Sequence, residues 1–160
     1  LWPWDISTNF TDQIMLAGGA TKDIFYCPSY AEFNCSNTWN FSTTFRILGY
    51  VYMVPGAGAN AGGKSEQPYW KTNALGSPGH PPSEAEVVVD VIIRQATGSY
   101  DHLTIGGLTI LQRSSHLEKS MPAGSNELYE DAHVEWRPFR VMYNNGHPQN
   151  YFGNDPVFIF

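Results

Sequence analysis

The sequence predicts an α+β domain dominated by antiparallel sheet, with one short N-terminal helix and long loops. Three observations carry that expectation. Charged residues make up only 15% of the chain, while glycine, proline and aromatics are plentiful, a balance that suits short strands joined by ordered turns. Long exposed helices would need more Glu, Lys, Ala and Leu. Apolar runs rich in β-branched and aromatic residues recur between turn-forming segments. A single stretch, about residues 9–17, has helical spacing with a start and a stop signal at its ends.

That helix is expected from Asn9 to Ala17. Ser7 and Thr8 can cap it, Phe10 and Ile14 share a face, and Gly18-Gly19 can end it in the left-handed conformation. Asp23-Ile24-Phe25-Tyr26 reads as a short strand stopped at Pro28, and residues 30–44, rich in Asn, Ser and Thr, as a long surface loop. Residues 44–53 form the first convincing strand, within which Gly49 marks a bulge or a close backbone approach. Residues 55–83 hold most of the Gly and Pro and read as one long flexible excursion. Residues 86–93 are almost continuously apolar, as in a central strand buried on both faces, with Asp90 as the interruption. A third strand is expected over residues 126–137, where Leu128, Ala132, Val134 and Trp136 alternate with Tyr129, Asp131, His133 and Glu135. The tail 156–160 is expected as an edge strand, with Pro156 at its first position. No internal repeat is evident.

The 160 residues suit a single domain, 1–160, able to bury roughly 70% of its unfolded surface. A formal net charge of −6 and a pI near 5.2 speak against a nucleic-acid partner, which phosphate would select by excess Lys and Arg. No run of about 18 apolar residues is present to span a membrane. The start at Leu1-Trp2-Pro3-Trp4, without a Met or a signal peptide, suggests a segment taken from a longer precursor. Cys27 and Cys35 enclose a turn-rich stretch. A disulfide between them is expected over two separate buried thiols. It would contribute roughly 2–3 kcal/mol and imply an oxidising compartment. The pair alone does not make a zinc site, which wants four ligands.

Asp131, His133 and Glu135, with His116 upstream, offer carboxylates and imidazole at a spacing that could hold a cation. A solvated strand face is the preferred reading, because nothing sets ligand number or geometry. Ser114, Ser115, His102, His116 and Asp90 supply the residue types of a Ser-His-Asp hydrolase, but no GxSxG elbow accompanies them. Gly58 to Ser65 formally matches a phosphate-binding loop. Pro68 just beyond would break the helix such a loop needs. Asp90 is expected to be a buried carboxylate that accepts hydrogen bonds from a loop in a structural role. Asn9, Asn34 and Asn40 stand in glycosylation sequons, which matter only in a eukaryotic secreted protein. No catalytic residue, cofactor or metal site is assigned, and the chain is not expected to be an enzyme.

Several segments together resemble a known pattern. Ser115-His116-Leu117 through Pro122-Ala123-Gly124-Ser125-Asn126 leads into Asp131-Ala132-His133-Val134-Glu135-Trp136. This is similar to the C-terminal signature of bacterial prepilin-like proteins, "SxH…PxGxN" followed by a DGHVEW-like strand, with Ala132 in place of the family's glycine. Phe25-Tyr26-Cys27-Pro28-Ser29 resembles the family's FxCPS element, and Val88-Val89-Asp90 its vvaD strand. The chain thus resembles the globular head of a type IV pilin-like or type II secretion pseudopilin-like protein, without the N-terminal helix.

The resemblance implies a structural subunit of a pilus-like filament or secretion pseudopilus, extracellular or periplasmic, at the cell surface. Its implied partners are other pilin or pseudopilin subunits, in a homo-oligomeric filament, and the inner membrane through the absent helix. Some relatives of this kind bind calcium in a C-terminal loop, which would put such a site here near Asp131 and His133. Ala132 sits where a left-handed glycine is the family's choice and carries a steric cost if the backbone keeps φ positive. Two other functions compete. Five Trp and nine Tyr could form a stacking surface for a carbohydrate- or surface-binding module, with residues 55–83 as an arm. A small hydrolase could use His116 and Asp90.

Overall fold

Ser7 opens the first helix by accepting a hydrogen bond from the Phe10 amide at 3.1 Å, and Gly19 closes it at φ 60°. The computed structural model describes residues 4–53, 81–95, 97–100, 103–105, 108–111, 114–144, 147–148, 151–152 and 157–159. Within these, strand β1 (Asp5–Ser7) leads directly into α1 (Thr8–Gly18). Phe10 and Ile14 of α1 pack on the core as their spacing predicts. The expected excursion over 55–83 lies outside the described residues, apart from the short 3₁₀ turn Pro82–Glu84 at its end.

The segment after α1 departs from expectation. Residues 23–26 do not form a strand; Lys22–Phe25 is a 3₁₀ turn. Asp23 holds it by accepting from Thr21 Oγ1 at 3.2 Å and from Asn34 Nδ2 at 2.6 Å. Phe25, Tyr26 and Cys27 are then buried in succession, which an alternating strand does not permit. The expected polar loop is ordered as well, with a 3₁₀ segment Pro28–Phe33 and the one-turn helix α2 (Ser36–Trp39). Its Tyr30 and Phe33 are buried and stack at 5.1 Å, and Phe33 meets Trp4 at 5.1 Å. Aromatics scattered among Asn and Ser carry too little periodicity to announce this part of the core.

The strand expected over 44–53 is two strands. β2 (Phe45–Ile47) pairs with β1, and β3 (Tyr50–Tyr52) pairs with the next long strand. The break falls at Gly49, where a Cβ would sit 2.9 Å from Tyr26 Cα and 3.0 Å from the Cys27 nitrogen. Gly49 donates its amide to Phe25 O at 2.9 Å. The close approach read from the sequence is therefore present, and it locks the backbone leading to Cys27.

The apolar run 86–93 also divides. β4 (Glu86–Asp90) is central in a four-stranded antiparallel sheet and β5 (Ile92–Arg94) joins a three-stranded one. Short strands β6 (Leu103–Ile105), β7 (Leu108–Leu111), β8 (Leu117–Glu118) and β9 (Met121–Pro122) form two hairpins, β6–β7 and β8–β9. Residues 126–137 are not one strand but a hairpin, β10 (Gly124–Tyr129) and β11 (Val134–Pro138), turning through Glu130–His133. The strand order is β11-β10-β4-β3. After α3 (Phe139–Met142) come β12 (Tyr143–Asn144), β13 (His147–Pro148), β14 (Tyr151–Phe152) and β15 (Val157–Ile159). The tail is not an edge strand, because β15 lies between β14 and β5 and buries Phe158 and Ile159. Mixed helix and antiparallel sheet make the fold α+β, as predicted.

Ala132 adopts φ 71° in the β10–β11 turn, a left-handed conformation that opposes its Cβ. Ala132→Gly is expected to raise stability by about 0.5–1 kcal/mol, the steric relief offset in part by glycine's greater unfolded-state freedom. Gly49→Ala, pressed against backbone, is expected to lower it by about 1–3 kcal/mol. Denaturant midpoints of both variants check the pair; a stabilised Gly49→Ala or a destabilised Ala132→Gly would contradict this account of the turns.

Candidate functional site

Strand register places Tyr50 opposite Asp90 and Asn126 opposite Trp136. The Asn126 amide donates to Asp90 Oδ2 at 2.8 Å and joins the two pairs. One row of side chains therefore crosses β3, β4, β10 and β11. Two loops bring further groups to this row. His116 leaves the turn before β8 at φ 51°, a conformation uncommon for a side-chain-bearing residue and often found at special sites. Its backbone is held there by three bonds: His116 N–H to Ser29 Oγ at 3.2 Å, Ala123 N–H to His116 O at 2.9 Å, and Ser115 N–H to Val91 O at 2.9 Å. Cys27 arrives from the segment pinned by Gly49, at the start of the 3₁₀ turn.

His116 Nε2 stands 2.8 Å from Asp90 Oδ2, 3.4 Å from Cys27 Sγ and 3.2 Å from Asn126 Nδ2. Asn126 Nδ2 also reaches Asp90 Oδ2 at 2.8 Å, and Ser29 Oγ lies 3.0 Å from Cys27 Sγ. Asp90 and Cys27 are buried, His116 is half-buried and Asn126 exposed, so the group opens to solvent past the imidazole. Hydrogen bonding to Asp90, and then to Cys27, pushes the His116 pKa up to about 10 against the effect of burial. Burial alone would raise the Asp90 carboxyl, but His116, the Asn126 amide and Cys27 hold it below the ordinary carboxylate range. Burial pushes the Tyr50 phenol up, and the neighbouring Cys27 and Asp90 add to it.

The expectation for Asp90 holds in substance: it is buried and accepts hydrogen bonds, although from strand β10 as well as from a loop. His116 and Asp90, named for a hydrolase, do meet. Their geometry is not that of a nucleophilic triad, in which the two ring nitrogens serve two different partners, one the nucleophile and one the acid. Here the same Nε2 faces both Asp90 and Cys27. Ser114 is occupied elsewhere, its Oγ accepting from Ile93 N at 2.8 Å and donating to Ile93 O at 2.9 Å. Ser115 is fully buried and its hydroxyl has no partner among the described residues. His102 and the Gly58–Ser65 loop lie outside the described residues.

The expected Cys27–Cys35 bridge is not formed, and the less favoured cation site at Asp131, His133 and Glu135 loses its shared strand face. Cys27 and Cys35 are free thiols. Cys27 is drawn to Ser29 and His116, while Cys35 Sγ lies 3.6 Å from Thr38 Oγ1. Asp131, His133 and Glu135 do not form one ligand face with His116. Asp131 and His133 belong to the turn, where Asp131 Oδ1 accepts from the His133 amide at 3.1 Å and lies 2.5 Å from its Nδ1. The His133 ring stacks on Tyr129 at 4.3 Å. Among the described residues, the group of three or more metal-ligating side chains is Cys27, Asp90 and His116.

The opposite face of the same sheet carries a second polar cluster that sequence reasoning missed. Arg137 lies 2.7 Å from Glu86 and 2.8 Å from the fully buried Glu127, whose Oε2 also accepts from Tyr129 OH at 3.1 Å. The register shift at Leu128/Tyr129 leaves Val87 without a partner on β10 and brings Glu86 opposite Tyr129, beside Arg137. An alternating acidic residue reads as a solvent-facing one, so only the bulge reveals this site.

No family model, no curated protein and no solved structure matches the chain.

Burial pushes the Glu127 carboxyl up to about 7, although Arg137 draws it down. The unfolded chain then loses this proton near pH 4.5 while the folded one keeps it to about 7. Stability from this group is fully present below the lower value and declines as pH rises through the window. Glu127→Gln is expected to flatten that decline, measured as unfolding free energy between pH 4 and 8; an unchanged slope would refute the assignment. Asp90→Ala, which strips a buried partner from His116 and Asn126, is expected to cost about 3–5 kcal/mol in the same assay.

Proposed function

We propose that the chain is the extracytoplasmic head of a pilin-like or pseudopilin-like subunit, a structural part of a filament or secretion pseudopilus. One observation supports this above others. The separate segments that carry the resemblance converge on a single spot, contributing Cys27, Asp90, His116, Asn126 and Trp136. Trp136 closes the group by meeting the His116 ring edge to face at 5.0 Å. A motif set spread over more than a hundred residues is then one device that fixes the central sheet, as a structural head requires.

The remaining features fit a subunit that works by packing. β11 is an edge strand among the described residues, and its Val134 and Trp136 are exposed on the same face. The alternative, a carbohydrate- or surface-binding module, has less behind it. Trp4 is buried against Phe33 and Phe158, and Trp39 lies under Arg46 at 4.0 Å, so neither is free for stacking on a sugar. The single shared ring nitrogen argues for a non-enzymatic role of His116 and Asp90. No helix of the described residues is long and apolar enough to cross a membrane. The pilin-like reading implies an apolar anchor helix N-terminal to the head.

The gene is expected to encode, before Leu1, a basic leader and about 20 apolar residues. Expressed whole with a prepilin peptidase, its product is expected to be shortened at the leader and to pellet with the inner membrane. A coding sequence with no such apolar segment would overturn the filament assignment. Glycan-dependent thermal stabilisation of the isolated domain would instead favour the binding module.

A further inference from the structure

We propose that Cys27, Asp90 and His116 form a binding site for a divalent metal of borderline softness, best matched by Zn²⁺. Sγ of Cys27, a carboxylate oxygen of Asp90 and a ring nitrogen of His116 all lie within 4.8 Å of one another. They come from three segments far apart in the chain and point at a common space. Tetrahedral zinc with bonds of about 2.3 Å to sulfur and about 2.0–2.1 Å to nitrogen and oxygen would set its ligands about 3.6 Å (S···N) and about 3.3 Å (N···O) apart. The observed separations are 3.4 Å for Sγ···Nε2 and 2.8 Å for Nε2···Oδ2. Shifts of a few tenths of an ångström would admit the ion.

Hydrogen bonding alone crowds this group around one ring nitrogen. Nε2 carries at most one hydrogen, yet it faces Oδ2, Sγ and the Asn126 amide. If that hydrogen goes to Asp90, Asn126 Nδ2 and Nε2 meet donor to donor at 3.2 Å. Turning the Asn126 amide over would relieve that contact but set its carbonyl against Asp90 Oδ2 at 2.8 Å. A metal bound to the Nε2 lone pair removes the conflict: no hydrogen is needed there, and Asn126 keeps its bond to Asp90. In that role Asn126 orients the carboxylate ligand and Ser29 the thiolate, as outer partners do in metal sites.

The ligand types also choose the metal. A thiolate excludes calcium and magnesium as preferred ions, while a thiolate with imidazole and carboxylate suits zinc or its cobalt substitute. Three protein ligands leave the fourth position to water, on the side that opens past His116 and Asn126. The site is independent of the filament assignment. It differs from the calcium position that the resemblance implies near Asp131, both in residues and in chemistry.

The test uses the purified chain, treated with chelator and then titrated with Co²⁺ and Zn²⁺. Co²⁺ is expected to bind one to one with a thiolate-to-cobalt charge-transfer band, and equimolar Zn²⁺ to displace it. Cys27→Ser and His116→Ala are expected to lose the band, while Cys35→Ser and His133→Ala keep it. Near-ultraviolet circular dichroism confirms that each variant is folded. In the wild-type chain, zinc is expected to slow alkylation of Cys27 and leave that of Cys35 unchanged, a readout that needs no variant. A folded wild-type chain with no charge-transfer band, or a band that follows Cys35 or survives Cys27→Ser, would overturn the site. Because these measurements use the head alone, they stand or fall separately from the search for an upstream apolar segment.

Discussion

The carboxylate of Asp90 is the constraint around which the rest is arranged. A charge placed in the middle strand of a sheet is costly unless several donors meet it. Three donor atoms do so here: the Asn126 amide, the Asn126 side chain and the His116 ring. Each donor imposes a requirement on its own segment. Asn126 sets the alignment of β10 on β4. His116 must leave the turn at φ 51° to reach down, and the chain past Val91 must turn aside so that its carbonyl can hold Ser115. The apolar run then divides, with β4 in one sheet and β5 in the other.

The same sheet shows two ways of keeping a carboxylate inside. On one face Asp90 remains below its usual pKa because donors outweigh burial. On the other, Glu127 lies next to Glu86 and shares one guanidinium with it, and its Oε1 finds no partner among the described residues. Burial wins there and raises the pKa. The difference lies in the donor count. Asp90 draws on a histidine and on two N–H groups of one asparagine, whereas Glu127 divides Arg137 with a second acid. A half-satisfied carboxyl of this kind is a source of pH-dependent stability, while a fully satisfied one is a source of specificity in the strand alignment.

Much of the fold was legible where local chemistry dominates. The serine cap and the left-handed glycine of α1, the close approach at Gly49, and the burial of Asp90 all follow from single residues whose options are few. Legibility failed where distant groups decide. Nothing near Asp23 in sequence announces that Asn34 will fold back to hold it in a 3₁₀ turn. The alternation through residues 126–137 is real, but a period of two continues across a tight hairpin, so it could not show where the chain reverses. The cysteines illustrate the same limit. Eight residues apart they invite a bridge, yet Cys27 is drawn toward His116, 89 residues away. For the candidate site, the types of residue were visible and their meeting was not. Cys27, Asp90 and His116 each lie within a separate motif of the resemblance, and only the sheet register and the loop at Gly49 bring them together.

The strained backbone of His116 ties these points together. A glycine would adopt that conformation at no steric cost, and the turn could reverse equally well with one. A histidine in its place carries a local penalty that only its side chain can offset, by what it does at Asp90, Cys27 and Trp136. If the ring served merely to cap Asp90, a single hydrogen bond from a less constrained residue would suffice. Instead, one nitrogen is aimed at a carboxylate, a thiol and an amide together, with an indole against the ring. Without an ion that nitrogen's hydrogen serves Asp90, and with the proposed ion bound its lone pair takes over. The proposed structural head and the proposed metal site are then compatible descriptions of one locus, since an ion held by three distant segments would join loop, strand and hairpin as a disulfide joins two. Cys27 without a bridge to Cys35 fits that arrangement, because its sulfur is already committed to the place where those three segments meet.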